Sequence, residues 1–536
     1  MVSDSEIGEA LKRYWGYDSF RPGQERIVRT LLEARDACVV MPTGGGKSLC
    51  YQLPAALLWE KTAVVISPLI ALMQDQVAQL TQMGIPAAVL NSSLTSAEQK
   101  EITRGACTGK YDLLYLSPER LVRADTFDWL QRVPISFFVI DEAHCISEWG
   151  HEFRPEYRQL SRLRAEFPGR PIAAFTASAT KRVRHDIVDQ LQLQDPDKYI
   201  ASFYRPNLNY IVRECKPAEQ LELMVRAIRR HAEGHVIVYS PTIARVAETV
   251  AHLEQNGIAA VGYHGQLDAD ARRRNQERWM ADEVRVLVGT IAFGLGINKA
   301  SVRAVIHLSL PKAIEQYYQE AGRAGRDGLP SDCLLLWQKR DAGLLGHFIG
   351  EIQDPAEKER AWQRYHSMRR FVDSKSCRHR QICVHFGEIP NWDSCGACDI
   401  CGCGSEWLSQ PMQPVQPVHS VRPVQPAKPA HAVQETQPTR RTSRIRKRSR
   451  AAQAPVGEID PGLREHLREW RRVASKEQSV PAFVVMHDTS LDELCRRRPR
   501  TLGELLQVSG FGERKVAMYG EKILLALKQY GASKDR

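Results

Sequence analysis

Along the chain, short runs of β-branched and aromatic residues alternate with longer stretches of helical patterning. From Ile27 to about Ile200 the apolar runs are ACVVM, TAVVISP, YDLLYLS and SFFVIDEAH, each followed by polar-patterned helical sequence. Continuous apolar runs separated by helices predict strands buried on both faces, hence a parallel sheet covered on either side. A second alternation starts near Asn207, with HVIVYSP, AAVGYH, VRVLVGT and AVIHLSL as its strands. From Glu351 the pattern turns helical and runs into a cysteine cluster. After Gly404 periodicity vanishes: PMQPVQPVHSVRPVQPAKPAHAVQETQP is rich in Pro, Gln and Val and reads as an extended linker without a core. Helical patterning returns from about Ile459 to Tyr530, with turns at SVP and VSGFGE.

The expected fold class is therefore α/β. Two tandem parallel-sheet domains (1–205 and 206–345) precede a helical cysteine module (346–404), a linker (405–457) and a small helical domain (458–530). Composition narrows the class. The 536 residues are 43% hydrophobic and 26% charged, as in an ordinary soluble protein. A formal net charge of +11 favours a polyanionic partner without proving one. No run of 18 apolar residues occurs, so no membrane span is expected, and the opening MVSDSEIGEALKRYWGY lacks the apolar core of a secretion signal. Of 13 cysteines, six crowd between Cys377 and Cys403, which fits a reducing interior and one metal site better than a disulfide framework.

The segment MPTGGGKS lies between a buried strand and a helix. Its residues Thr43, Gly44, Gly45, Gly46, Lys47 and Ser48 form a glycine-rich turn that exposes backbone N–H groups and a helix N-terminus to phosphate. Lys47 suits the β- and γ-phosphates of a nucleotide and the Ser48 hydroxyl suits Mg²⁺. Met41 stands where the strict GxxxxGK[ST] pattern has glycine. FFVIDEAH supplies Asp141 and Glu142 at the carboxyl end of a strand, where α/β sheets bind ligands. Asp141 is expected to hold Mg²⁺ through water, and Glu142 to orient or activate the attacking water. In QEAGRAGRDG, Arg323 and Arg326 are three apart, which on a helix places both on one face, suited to the charge of a transferring γ-phosphoryl. These parts predict an ATPase of two lobes closing on one nucleotide.

The motif set resembles superfamily 2 helicases and, within them, the RecQ family of DNA helicases, through most of Tyr14 to Cys401. That resemblance implies two RecA-like domains. WGYDSFRPGQ resembles the family's adenine-recognition motif and implicates Tyr17, Arg21 and Gln24 in ATP binding. SPLIALMQDQV, YLSPERL and FTASAT resemble its strand-contact and coupling motifs, and GTIAFGLGINK its fifth motif. QEAGRAGRDG resembles its arginine-finger motif, which adds Gln319 to the catalytic set. HCISEWGHEFRPEY resembles the aromatic-rich loop that couples single-strand binding to hydrolysis, implicating Trp149, Phe153 and Arg154; Glu152 stands where the family usually has Asp. Trp149 and Phe153 offer stacking faces for bases, and their alternative is a place in the core. VIVYSPTIARVAE and YHGQLDADAR depart from the family's usual wording in the second lobe.

Cys377, Cys395, Cys398 and Cys401 resemble the RecQ zinc module in spacing, which implies a structural Zn²⁺ site closed by four thiolates. An iron–sulfur cluster is the alternative for such spacing, and Cys383 and Cys403 are extra thiols. The last segment resembles a helicase-and-RNase-D C-terminal (HRDC) domain, with Val508 to Gly512 as a hairpin between helices. No room remains between the cysteines and the linker for the family's winged-helix domain. The basic run from Arg440 to Arg450 is read as a phosphate contact, a solvated linker end or, in a eukaryote, a nuclear address. The helical domain on its long tether is expected to search a broad volume without a fixed geometry.

The resemblance thus implies an ATP-dependent 3′-to-5′ DNA helicase acting in repair and recombination, using ATP, Mg²⁺ and Zn²⁺. Its expected partners are single-stranded and branched or tailed duplex DNA, with single-strand-binding or repair proteins reached through the tail. Its expected place is the bacterial nucleoid or the eukaryotic nucleus. Two alternatives stand beside it: a DNA-dependent ATPase that binds or anneals strands with little unwinding, and an RNA-remodelling helicase.

Overall fold

The computed structural model describes residues 2–91, 94–123, 125–290, 299–402, 405–408, 459–478, 480 and 482–534. Most of the linker, the basic run, Cys403 and the centre of GTIAFGLGINK lie outside the described residues. The first lobe holds seven strands: β1 (Ala37–Val40), β2 (Thr62–Ile66), β3 (Ala87–Leu90), β4 (Leu113–Leu116), β5 (Ile135–Ile140), β6 (Ile172–Thr176) and β7 (Asp197–Ile200). They form one sheet in the order β3-β4-β2-β5-β6-β1-β7, every pair parallel. The runs legible in the sequence are the central strands. All residues of β1, β2, β4 and β5 are buried, as strands covered on both faces must be. The edge strands β3 and β7 are only half covered and carry weaker apolar patterns.

The second lobe repeats the plan with β8 (Leu208–Glu214), β9 (His235–Tyr239), β10 (Ala260–Tyr263), β11 (Val286–Gly289), β12 (Val302–His307) and β13 (Ser331–Trp337). Their order is β10-β11-β9-β12-β13-β8, again all parallel. The two RecA-like lobes, the helical cysteine module and the tail helices reproduce the expected α/β architecture. Among the described residues no strand follows Trp337, so nothing there forms the hairpin of a winged helix.

The cysteine module is sewn to the open edge of the second sheet. Tyr210 of β8 donates its N–H to the Ala397 carbonyl (3.2 Å) and accepts from the Asp399 N–H (2.9 Å). The Asp399 carboxylate in turn receives the Val212 N–H and the Arg378 guanidinium. The turn Ser405–Leu408 packs on the same lobe, with Leu408 buried and Arg226 donating to the Trp407 and Leu408 carbonyls.

The tail folds around a core of its own: Leu463, Leu467, Leu491, Leu494, Val508, Phe511, Tyr519 and Ile523 form one apolar cluster. Gly510, at φ +88°, makes the turn between the helices Leu502–Leu505 and Glu513–Lys534 where a hairpin was expected. The tail does not hang free. Phe511 and Gly512 press against the backbone of Arg13, Tyr14 and Gly16, so closely that a Cβ on Gly512 would lie 2.3 Å from the Arg13 carbonyl. Arg468 and Arg471 reach Asp282 of the second lobe. The expectation of an unfixed geometry is replaced by a tail that touches both lobes. Close backbone packing makes the contact with the first lobe and charge pairing the contact with the second, and no periodicity registers either.

Candidate active site and metal centre

Strand order assembles the nucleotide site. Because β1, β6 and β5 are neighbours, their carboxyl ends bring MPTGGGKS, FTASAT and the Asp141–Glu142 pair together. Gly44 (φ +84°) and Gly46 (φ +83°) turn the loop through left-handed backbone. Gly46 N-caps the helix Lys47–Leu57 without any side-chain cap, so the first N–H groups stay open to an anion. Gly45 and Gly46 are also steric requirements: a Cβ would meet the Met41 side chain at 2.6 Å and Gln24 Nε2 at 2.3 Å.

Lys47 Nζ donates to the Met41 carbonyl at 3.1 Å. Burial lowers its pKa while Glu142 and Asp141 pull the other way. Asp141 is buried and accepts from Ser67 Oγ and from the Glu142 N–H. Burial and the adjacent Glu142 push it up to about 6, against the pull of Lys47. Glu142 sits in left-handed backbone (φ +48°), a strained position of the kind found at functional sites. Burial works against its ionisation, but His144 and Lys47 bring it down to about 2. His144 Nδ1 lies 3.3 Å from the Glu142 carboxylate and 3.0 Å from Thr176 Oγ1.

Arg21 and Gln24 hold the loop itself. Arg21 donates to the Gly44 carbonyl (2.7 Å), and Gln24 donates to those of Gly45 and Gly46 (3.2 Å each). Tyr17 is half-buried beside them. Thr43 and Ser48 flank the loop, and Ser48 hydrogen-bonds Tyr51.

The second lobe completes the cleft. Arg326 lies over Gly44, where a Cβ would touch its Cγ at 3.4 Å. The helix Ile314–Ala321 ends at Gly322, however, so Arg323 and Arg326 stand on turns and not on one helix face. Gly325 (φ +57°) keeps the chain after Ala321 in turns, and Arg323 still lies close enough to Arg326 to act on its charge. Burial, Arg323 and Arg205 push Arg326 down to about 9. Gln319 donates to Ser178 of FTASAT at 2.9 Å, across the lobe boundary.

Arg205 was missed by sequence reasoning. It donates to Thr43 on the loop (3.3 Å) and to Ala324 and Gly325 beside the arginines (3.3 and 3.2 Å). Its only signal was an Arg-Pro between the two α/β patterns.

The aromatic loop is half-buried and tied to three bodies. Trp149 lies between two guanidiniums, Arg182 at 3.0 Å and Arg360 at 5.8 Å from its ring centre. Phe153 carries Arg158 at 5.4 Å, and Arg154 donates to Pro68 of SPLIALMQDQV at 3.5 Å. His151, also unremarked in the sequence, stacks on His144 (4.7 Å) and hydrogen-bonds Gln319.

The thiols of Cys377, Cys395, Cys398 and Cys401 lie within 4.8 Å of one another. Four sulfurs at that separation suit tetrahedral Zn²⁺ with bonds of about 2.3 Å. Burial opposes ionisation of Cys401, yet Ser394 and the neighbouring backbone and thiols bring it down to about 6. His379 bridges this cluster to the cleft, with Nδ1 at 3.2 Å from Cys395 Sγ and Nε2 at 2.9 Å from the Arg205 carbonyl. Cys383 is buried apart from the cluster.

Four family models match in series: DEAD/DEAH box helicase (21–187), helicase conserved C-terminal domain (219–328), RecQ zinc-binding (339–402) and HRDC domain (460–527). The ATP-dependent DNA helicase RecQ of Bacillus subtilis (strain 168) is 36% identical over 98% of this chain and 99% of its own length. The chain belongs to the RecQ family. The RecQ of Pasteurella multocida (strain Pm70) is 43% identical over 73% of this chain, which spans 62% of that relative's length. Among other RecQ-type relatives, the bifunctional 3′-5′ exonuclease/ATP-dependent helicase WRN of Mus musculus is 40% identical over 70% of the chain and 27% of its own. Two solved structures share the fold. The helicase MrfA bound to DNA and AMPPNP has a TM-score of 0.53 at 20% identity, covering 63% of this chain and 50% of its own. The DEAD-box helicase Mss116 has 0.54 at 17%, covering 66% and 76%.

Proposed function

We propose that this RecQ-family chain is an ATP-dependent DNA helicase that moves 3′ to 5′ on a single strand and opens tailed or branched duplexes in repair and recombination. The observation that carries the reading is the cleft, where the phosphate loop of one lobe meets Arg323 and Arg326 of the other, with Arg205 at the junction bonded to both sides. There Lys47 and the loop amides hold the β- and γ-phosphates, with Arg21 and Gln24 bracing the loop from behind. Ser48 and Asp141 are the hard oxygen donors for Mg²⁺, which supplies charge neutralisation on the phosphates. Glu142, held ionised by His144, orients the attacking water, and the arginines take up the charge of the transferring group.

Coupling to the strand runs through the aromatic loop. A base stacked on Trp149 displaces Arg182, and the loop passes the change through His151 to Gln319 and through His144 to Glu142. The thiol cluster holds Zn²⁺ as a structural centre that fixes the module against β8 and Arg205. Among the described residues no helix is long and apolar enough to cross a membrane, and we place the protein with the chromosome. Single-strand-binding or repair proteins reached through the tail belong to the same proposal.

Strand separation of a 3′-tailed duplex against a 5′-tailed one tests the reading. ATP-dependent opening of the 3′-tailed substrate alone is expected. The absence of a strand after Trp337 among the described residues favours the second reading, a DNA-dependent ATPase that clamps or anneals strands. Stimulated hydrolysis without any strand separation would select it, and stimulation by RNA above DNA would select an RNA-remodelling enzyme.

A further inference from the structure

The end of β5 and the aromatic loop share a second cluster of metal-ligating side chains, beside the cleft and apart from the four cysteines. The coordinating atoms of His144, His151 and Glu152 lie within 4.8 Å of one another. His144 is buried, and His151 and Glu152 are half-buried. His144 Nε2 stands 3.9 Å from a Glu152 oxygen, and Cys145 Sγ approaches the same nitrogen at 3.8 Å. Among the described residues His151 Nε2 is buried without a hydrogen-bond partner. Gln319 and the charge of Glu315 act on this ring from the second lobe, and Glu315 is itself held by His385 at 2.8 Å.

Bonding on the far side of His144 decides what its Nε2 can do. Nδ1 lies 3.0 Å from Thr176 Oγ1 and 3.3 Å from the Glu142 carboxylate. A carboxylate only accepts, so the proton of the neutral ring sits on Nδ1 and Nε2 carries a lone pair. Carboxylate–histidine pairs of this form stand behind the imidazole ligands of metal ions, where they fix the ring and raise its basicity. Nε2 and the Glu152 oxygen face each other as two acceptors, which only a proton or a cation can join. Two imidazoles and a carboxylate suit zinc and its neighbours, whereas Mg²⁺ takes oxygen ligands. Donors around a tetrahedral ion of this kind stand about 3.3 Å apart, so side-chain rotation closes the present spacing. The two histidine rings are stacked, 4.7 Å between centres and 7° between planes. Ligation turns His151 out of that stack and draws the aromatic loop onto the end of β5.

We propose that His144, His151 and Glu152 form a second metal site, for Zn²⁺ or a similar divalent transition-metal ion, that pins the aromatic loop to the end of β5. His144 stands beside Glu142 at the strand end, and the other two ligands belong to the loop that carries Trp149 and Phe153. With the ion bound the loop is fastened, and strand binding at Trp149 no longer reaches Glu142. The ion is then a brake on strand-stimulated hydrolysis. Only this braking rests on the coupling role proposed for the loop; the site itself does not.

Elemental analysis after equilibrium dialysis counts the ions in the intact chain, without nucleotide or DNA. Protein freed of loose zinc is expected to hold the one ion of the thiolate cluster, and dialysis against buffered micromolar Zn²⁺ is expected to add a second. Glu152→Gln and His151→Gln are each expected to keep the first ion, which shows that the chain is folded, and to lose the second. A single ion in the wild type, or two in either variant, overturns the site. Oligothymidylate-stimulated hydrolysis of the wild type is expected to fall severalfold over the zinc range in which the second ion binds. Glu152→Gln is expected to need about tenfold more zinc for the same loss. Equal sensitivity in this variant overturns the braking role. Stimulation by oligothymidylate before zinc is added reports the DNA reading separately, so its failure is distinguished from failure of the site.

Discussion

Among the described residues, two of the junctions between the lobes of this molecule are rich in arginine and lysine. In the nucleotide cleft, Arg205, Arg323 and Arg326 crowd together, and Arg326 falls to about 9 because it is buried and because its neighbours are cations too. At the tail junction the same kind of cluster surrounds acids. Burial alone would raise Asp282, but Lys299, His235 and Arg471 hold it well below the usual carboxylate range. Cations that repel each other are arranged for an anion that arrives, and cations gathered on a carboxylate have already found theirs. The first arrangement binds a ligand and the second fastens parts of the chain.

The cysteine cluster carries the first case to its limit, since four thiols gathered on one point need a cation. One Zn²⁺ per chain is expected by elemental analysis. Cys398→Ser is expected to give aggregated protein, because zinc supplies on the order of 10 kcal/mol to a site of this type. Iron with visible absorbance would replace the zinc assignment by a cluster.

In the cleft, Lys47→Ala is expected to reduce turnover about a thousandfold, roughly 4 kcal/mol of transition-state stabilisation, while DNA binding persists. Wild-type ATPase in this variant would remove the distinction between the junctions.

At the tail junction, Asp282→Asn leaves Lys299, Arg468 and Arg471 without their carboxylate. Docking is expected to weaken by about 3 kcal/mol, seen as loss of a carbodiimide crosslink between Glu283 and Lys476, 4.0 Å apart, with basal hydrolysis kept. Because the folded pKa of Asp282 lies below its unfolded value, its contribution is complete above about pH 4 and is lost as the pH falls further. Docking that fails already at pH 6 would assign the junction to other groups.

The smallest effect concerns Asp141. On its proposed role as a Mg²⁺ donor, a carboxyl raised to about 6 would take the ion in competition with a proton. The Mg²⁺ concentration for half-maximal hydrolysis is expected to rise about tenfold per pH unit below 6 and to level off above it. A flat profile from pH 5 to 8 would show that Asp141 is ionised throughout and that its burial is relieved by the bound nucleotide.

Local chemistry was legible in the chain itself. Long runs of β-branched and aromatic residues announce β1, β2, β4 and β5 and, in the second lobe, β9, β11 and β12, whereas the equally buried β6 and β13, with their alanines and polar residues, were not read as strands; glycines before Lys47 mark a turn through left-handed backbone. The half-covered edges β3 and β7 were not read either, because their residues answer to solvent on one side. The cysteine set was implied by the resemblance to the RecQ zinc module: short turns bring Cys395, Cys398 and Cys401 together, and the fold adds Cys377. Other features belong to the tertiary structure alone. Arg205 gains its place from the meeting of two lobes, and the glycines after Ala321 turn an expected helical face into two turns. The tail docks because Asp282 and Arg471, 189 positions apart in sequence, pair across folded surfaces. Periodicity records which side of an element is buried, and charges that find each other across domains leave no period to read.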